Sequence, residues 1–419
     1  MNRPRVLAVF AVVILALTGC AGGTQKPGTL TLFNDKDAWK PYFQQLGSLA
    51  EKKIGLDLEP SGYTDEPTYQ ATIRSSFQTD VKPDLFTWTT GPELRKLVER
   101  HQVADTTEIW DKAVANGDIS PQVRQYYTVG GRQYCIPLAN SYWGMFYNKR
   151  LFDRYGLHPP KTWDELIRIA KTLKSHGIAP FYETTKLFSF AWFQQLLAGS
   201  DPGLYQRLAE GKAKYTDPGV VAVLQRFREL AEQGLFSDSG SKIEPEAQLK
   251  SGKTAMAPAG TYLNSKFLLS GQRIGVDYDF FPIPNVNPKL PKISVLYETG
   301  ALCAPSGSDR LAEAEKFMSW WLGETAQRPW STIRDEVSTN PKVTTEAPSL
   351  NAVANAANNG EYRLLNRYYD ITPEPILTPA VDAFGAVMVH PDQYRAQLDI
   401  VQQAADDYWK TEAEKHETD

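Results

Sequence analysis

Side chains able to make or break covalent bonds are few in this sequence, and they stand apart. The five histidines, His101, His158, His176, His390 and His416, fall at no metal-ligand spacing. No Gly-x-Ser-x-Gly elbow, His-Glu-x-x-His, Cys-x-x-Cys or Gly-x-Gly-x-x-Gly occurs. Gly252-Lys253-Thr254 ends like a phosphate loop, but Ala247 stands where that loop needs its first glycine. A carboxylate pair for glycoside hydrolysis is placed by the fold rather than by spacing, so the many acids neither establish nor exclude a glycosidase. The expectation is no catalytic residue, no metal and no cofactor.

Of the three cysteines, Cys20 has the clearest context. Arg3 and Arg5 precede an apolar run over residues 6–17, followed by Leu17-Thr18-Gly19-Cys20. Basic start, apolar middle and small residues at the cut describe a secretory signal peptide over 1–19. The run is too short to span ~30 Å of hydrocarbon at 1.5 Å per residue. Leu-Thr-Gly-Cys resembles the bacterial lipobox, which implies acylation of Cys20 and an exported chain held to the cell membrane by lipid. An ordinary signal peptide with an incidental cysteine is the alternative. Residues 20–28 (CAGGTQKPG) then form a flexible tether. Cys135 and Cys303 sit in strand-like surroundings, in a compartment that permits disulfides.

About 390 residues follow the tether, more than one hydrophobic core usually organises, so two lobes are expected. Net charge is −4, falling to −6 once Arg3 and Arg5 are removed, and no basic run exceeds a pair. That excludes the clustered cations a nucleic-acid partner requires. Ten Trp, twenty Tyr and eighteen Phe provide both core and flat surfaces for stacking.

Strand and helix signals alternate, which predicts an α/β fold. Residues 29–33, 84–88 and 140–148 read as strands, and 56–58 as a half-buried or edge strand. Thr162 with Glu165 forms a capping box before Leu166, Ile169, Ala170 and Leu173 at helical spacing. Asp217 and Pro218 open a helix with Val221, Leu224, Phe227 and Ala231 inward. Two further helices are expected over about 309–322 and 392–409.

Several segments in chain order resemble the extracellular solute-binding proteins of family 1, of which maltose-binding protein is a familiar member. The most specific is residues 134–166: Tyr134-x-Ile136-Pro137, Met145-Phe146-Tyr147-Asn148-Lys149, Leu151-Phe152, Gly156-Leu157, then Pro160-x-Thr162-Trp163-Asp164-Glu165-Leu166. Pro83-Asp84-Leu85-Phe86 and residues 249–262 (LKSGKTAMAPAGTY) are similar to two further family segments, and residues 299–322 to a return strand and its helix.

The resemblance implies a two-lobed, type II periplasmic-binding-protein fold that closes on ligand by hinge bending, a motion known for such proteins. Lobe 1 would comprise 29–138 plus about 300–340, and lobe 2 would comprise 139–299 plus about 341–419. Crossings are expected near residues 137–140 and 297–301, with a third unplaced. It also implies a monomer that captures a carbohydrate, expected to be an oligosaccharide, and passes it to the permease subunits of an ABC importer. A sugar phosphate or polyol in the same fold is the nearest alternative, and a lipid-anchored glycosidase the alternative of another class.

A sugar needs flat aromatics for its CH faces and charged or amide groups for its hydroxyls. The aromatic candidates are Trp88, Tyr142, Trp192 and Tyr262, and the polar ones Asp35, Lys36, Glu66 and Glu298. Each has a competing role: Trp88 and Trp192 as core, Asp35 as a cap for the helix holding Trp39, Glu66 on the solvated surface. Strand alternation could turn Tyr142 away and bring Trp143 in its place. Cys135 stands where the family usually has glycine, beside the return strand that carries Cys303. The resemblance thus implies a disulfide between them, with two free buried thiols as the alternative.

Overall fold

The computed structural model describes residues 27–79, 82–185 and 188–418. The leader and Cys20 lie outside them. The strands are β1 (Thr29–Asn34), β2 (Asp57–Gly62), β3 (Leu85–Trp88), β4 (Thr128–Val129), β5 (Arg132–Gln133), β6 (Ile136–Asn148), β7 (Ala179–Phe181), β8 (Thr254–Gly260), β9 (Tyr278–Phe281), β10 (Ser294–Cys303) and β11 (Arg363–Asn366). Nine of them join in the order β2-β1-β3-β10-β6-β8-β7, with β11 added on β10 and β9 on β6.

The two longest strands are the joint between halves of this mixed sheet. The C-terminal end of β10 pairs with β3, while its N-terminal end pairs with β11. The β6 strand pairs with β10 up to Tyr142 and with β8 and β9 from Trp143 onward. One half therefore gathers on β1–β3 and the other on β7–β9 and β11. At the joint the β6/β10 register shifts, with Gly300 opposite Ala139 and Ala301 opposite Pro137, so Leu138 is the extra residue. Proline has no N–H to give a ladder, and a bulge beside it bends the strand where the halves meet. Tyr127 secures the bend by hydrogen bonds to the Thr299 hydroxyl (2.6 Å) and the Gly300 carbonyl (2.7 Å).

After the helix Glu324–Arg334 the chain turns sharply. Asp335 takes left-handed φ of 50°. Its carbonyl accepts from Asn264 in the other half at 2.8 Å, and Asn140 of β6 reaches the Ser338 carbonyl at 3.4 Å.

The helices follow their apolar stripes. In Trp163–Ser175, Leu166, Ile169, Ala170 and Leu173 are buried and Thr162 caps the Glu165 N–H at 3.2 Å. Glu165 reaches back to the Lys161 N–H (2.7 Å) rather than to that of Thr162, a capping box displaced by one residue. Pro218–Glu232 buries Val220, Val223, Leu224, Phe227 and Leu230. Expected Val221 and Ala231 are only half-buried, because the packed stripe is turned about one residue toward the N-terminus. The two further helices are Leu311–Trp321, which buries Ala314, Met318 and Trp321, and Tyr394–Thr418, which buries Tyr394, Leu398, Val401 and Ala405.

Cys135 and Cys303 form a disulfide, with Cα atoms 4.3 Å apart. Cys135 has φ of +62°, the left-handed region where glycine is unstrained. The bridge ties the start of β6 to the end of β10, just inside the joint.

Candidate functional site

The residues that could hold a ligand gather around the β6/β10 joint. Alternation along β6 sends Tyr142 and Trp143 to opposite faces. Tyr142 is fully buried against Tyr297, ring centroids 5.4 Å apart, and belongs to the core rather than the cleft. Trp143 turns the other way, and its Nε1 donates to Glu298 Oε2 at 3.2 Å. Tyr262, just past β8, and Phe188 pack on Trp143 with centroids 6.2 and 5.9 Å away. These three rings form an aromatic wall.

Glu298 leads to a charged network that sequence reasoning missed. Its Oε1 meets Arg367 Nη1 at 3.0 Å, and Arg367 Nη2 donates to Asp370 Oδ1 at 2.8 Å. Arg367 also lies 5.0 Å from the Tyr369 ring. All three charged residues sit within the protein, so geometry decides whether the cluster is tolerable. Burial, reinforced by Glu298, pushes the Asp370 carboxyl up to about 6 despite the Arg367 charge. Burial works against the charge on Arg367, but Asp370 and Glu298 more than offset it and hold the guanidinium protonated.

The opposite wall comes from the ends of β1 and β3 and the helix Glu66–Ser76. Asp35 accepts from Thr87 Oγ1 at 2.7 Å and pairs with Lys36, which lies 4.9 Å over the Trp39 ring. Burial tends to raise the Asp35 carboxyl, but the Lys36 charge and these hydrogen bonds prevail and lower it. Trp88 is buried at the end of β3, with Arg74 5.7 Å from its ring centroid. Glu66 accepts from the Tyr369 hydroxyl at 3.0 Å, so it bridges the walls rather than standing in solvent. Arg334 pairs with Glu336 and stacks 3.5 Å over Trp39. Burial raises the Glu336 carboxyl against the Arg334 charge, and Glu298 and Lys36 are close enough to act on it too.

Of the expected residues, Asp35, Lys36, Glu66, Trp88, Tyr262 and Glu298 occupy these walls. Trp192 does not. It is fully buried between Phe181 and Phe236, centroids 4.8 and 5.3 Å away, with Nε1 on the Tyr182 carbonyl. Its helix, Ala191–Ser200, is buried at nine of ten positions, so no stripe indicated which way the ring points. Arg367 and Asp370 lie in a short segment after β11 with no periodicity to announce them. The juxtaposition of Arg367, Tyr368, Tyr369 and Asp370 was the available signal.

Several buried polar atoms here have no protein partner: the donors Trp88 Nε1, Arg334 Nη1 and Arg367 Nε, and the acceptors Asn366 Oδ1 and Asp370 Oδ2. Buried polar groups are normally satisfied, so such a set suits a polar ligand able to partner them. From Glu66, Tyr369 and Asp370 a cavity of about 1020 Å³ runs outward between the halves, past Arg74 and Glu93 on one side and Thr378 and Tyr408 on the other. Among the described residues no cluster of three or more His, Cys, Asp or Glu is placed to hold a metal ion.

A model of the bacterial extracellular solute-binding proteins matches residues 46–358. An uncharacterized ABC transporter extracellular-binding protein of Pyrococcus horikoshii is 26% identical over 318 residues, 68% of this chain and 70% of that one. The melibiose/raffinose/stachyose-binding protein of Bacillus subtilis is 24% identical over 333 residues, 74% of this chain and 75% of that one. Among solved structures, a chitin oligosaccharide binding protein superposes with TM-score 0.76 at 19% identity, covering 90% of this chain and 98% of that one. This last likeness is one of fold, a two-lobed binding protein with hinge strands.

Proposed function

The chain belongs to the family of bacterial extracellular solute-binding proteins, and from that premise we propose that it captures a carbohydrate between its lobes for an ABC importer. The observation that carries the ligand class is the pairing of the aromatic wall Trp143, Tyr262 and Phe188 with unpartnered donors and acceptors in the same cleft. A sugar has apolar faces that suit such rings, and each of its hydroxyls both donates and accepts. A relative named for melibiose, raffinose and stachyose and a structural neighbour named for chitin oligosaccharide support the same class.

In this reading Glu298, Arg367, Asp35 and Lys36 bind hydroxyls, Trp143 and Tyr262 stack on the ring faces, and Glu66 with Tyr369 joins the lobes in the closed form. Lobe 1 is 29–138 with about 300–340, and lobe 2 is 139–299 with about 341–419. Cys20 carries a lipid that keeps the trap beside its permease, and the protein works as a monomer without chemistry on the sugar.

A melting-temperature screen against mono-, di- and trisaccharides, polyols and sugar phosphates, with product analysis of each mixture, tests the proposal. A ligand at 100 times its Kd stabilises by ~2.7 kcal/mol. The expected hit is an unmodified saccharide. A hit only among sugar phosphates or polyols would change the ligand. Cleaved sugar would make the carboxyl at about 6 on Asp370, beside Glu298, an acid/base candidate. Replacing Cys20 by serine should move the protein from the membrane fraction to the soluble one.

A further inference from the structure

We propose that the outward cavity is an electrostatic latch: cations of one sheet half and carboxylates of the other attract across it, so that salt sets how tightly the halves close. This rests on the reading of the halves as lobes that close on a ligand. The cavity begins at the Glu66–Tyr369 hydrogen bond and widens outward between two charged walls. One wall comes from the helices Glu66–Ser76 and Pro92–Glu99, with Arg74, Lys96 and Arg100 as its cations. The other comes from the helices Glu374–Val389 and Tyr394–Thr418, with Glu374, Asp382, Asp407 and Glu412 as its acids.

Pairing within each wall leaves the two with opposite signs. Glu93 is shared by Arg74 and Lys96, each at 2.7 Å, so one acid faces two cations. Arg100 is exposed and makes no ion pair among the described residues. Across the cavity, Lys415 is the one lining cation, and Glu412 holds it at 2.7 Å. Asp382 and Asp407 are exposed, and neither makes an ion pair; the Asp407 carboxylate accepts the Gln403 amide at 3.0 Å.

Tyr408 shows how near the walls come. It lines the cavity from the helix Tyr394–Thr418. Burial first, then Glu412, Glu93 and Glu99, push its hydroxyl up to about 12 against the pull of Arg95. Three residues of the facing helix region thus stand close enough to act on it. Exposed ion pairs are individually weak, so the latch works through several charges of one sign opposite several of the other. Their reach is the Debye length, ~8 Å at physiological ionic strength and ~3 Å at 1 M salt. The attraction therefore favours the closed arrangement at low salt and fades as salt rises.

Zero-length carbodiimide cross-linking with peptide mapping, on the full-length protein without saccharide, tests the latch. In low salt Lys96 should couple to an acid of the facing wall, and in about 1 M sodium chloride that product should fall at least fivefold. The within-helix pair Lys149–Asp153, 2.7 Å apart, is the control and should change less than twofold. Arg100→Glu leaves the coupling amine in place and should lower the cross-wall product at least threefold at an unchanged melting temperature. Adding Asp407→Lys should restore it. No product joining the walls, or a yield indifferent to salt and to Arg100→Glu, would overturn the proposal. Carbohydrate capture is read separately by the saccharide screen, so the two fail independently.

Discussion

The Tyr369 hydroxyl donates to the Glu66 carboxylate at 3.0 Å, a side-chain hydrogen bond that spans the cleft from the segment after β11 to the first turn of the helix Glu66–Ser76. Close by, the Asp370 carbonyl lies so near Gly91 that a Cβ there would sit 2.4 Å away, and Asn366 Nδ2 reaches Thr90 at 3.4 Å. In the proposed reading these contacts belong to the closed arrangement and break when the lobes part. Tyr369→Phe should therefore keep the fold and weaken ligand binding about three- to tenfold, chiefly through faster release, matching ~1 kcal/mol for one hydrogen bond. Stopped-flow dissociation of bound ligand measures it.

Trp143 combines a ring face with the Nε1 bond to Glu298. Trp143→Phe keeps the ring and loses the donor, while Trp143→Ala loses both. Affinity measured by calorimetry should fall in that order, with the alanine variant costing ~2 kcal/mol or more, about thirtyfold. Because Trp143 is itself buried, melting temperatures of both variants must be followed to separate binding from folding.

The disulfide closes a sequence separation of 168 residues. Replacing both cysteines should cost roughly 2–5 kcal/mol in urea unfolding. The left-handed φ of Cys135 adds a second expectation. Cys135→Gly with Cys303→Ala should be more stable than Cys135→Ala with Cys303→Ala by about 1 kcal/mol, since only glycine is free of strain there.

Asp370 sets a pH dependence. Its carboxyl is raised from 3.8 to about 6 in the fold, so between those values the folded chain holds a proton that the unfolded chain releases. Its contribution to stability is thus fully present below the unfolded value and lost as pH rises to about 6. Asp370→Asn cannot ionise. The stability of the wild type relative to this variant should fall between pH 4 and 6, by on the order of 3 kcal/mol, and level off above. Urea unfolding at pH 4, 5, 6 and 7 reads this directly, and a constant difference would contradict it.

Much of the fold was legible because local pattern and tertiary packing agree. The TLTLF run is β1, Thr162 caps its helix, and the segments 137–140 and 297–301 meet at the joint. The site was legible only in part, for reasons specific to each residue. Alternation in β6 gives parity but not absolute direction, so Tyr142 and Trp143 could be told apart only by what packs behind them. Arg367 is drawn inward by Glu298 and Asp370, partners 69 residues before it and 3 after it in sequence, which no local pattern encodes. The turn at Asp335 takes a left-handed conformation at a non-glycine residue, which composition does not announce.

Calorimetric titration of the purified protein with the saccharide returned by the melting-temperature screen tests the central claim most directly. The account predicts one site per chain, a negative heat-capacity change from closing the aromatic wall on the sugar, intact sugar afterwards, and at least tenfold weaker binding in the Glu298→Gln variant. Heat from a continuing reaction with sugar products, or saccharide binding unaffected by both Glu298→Gln and Trp143→Ala, would contradict it.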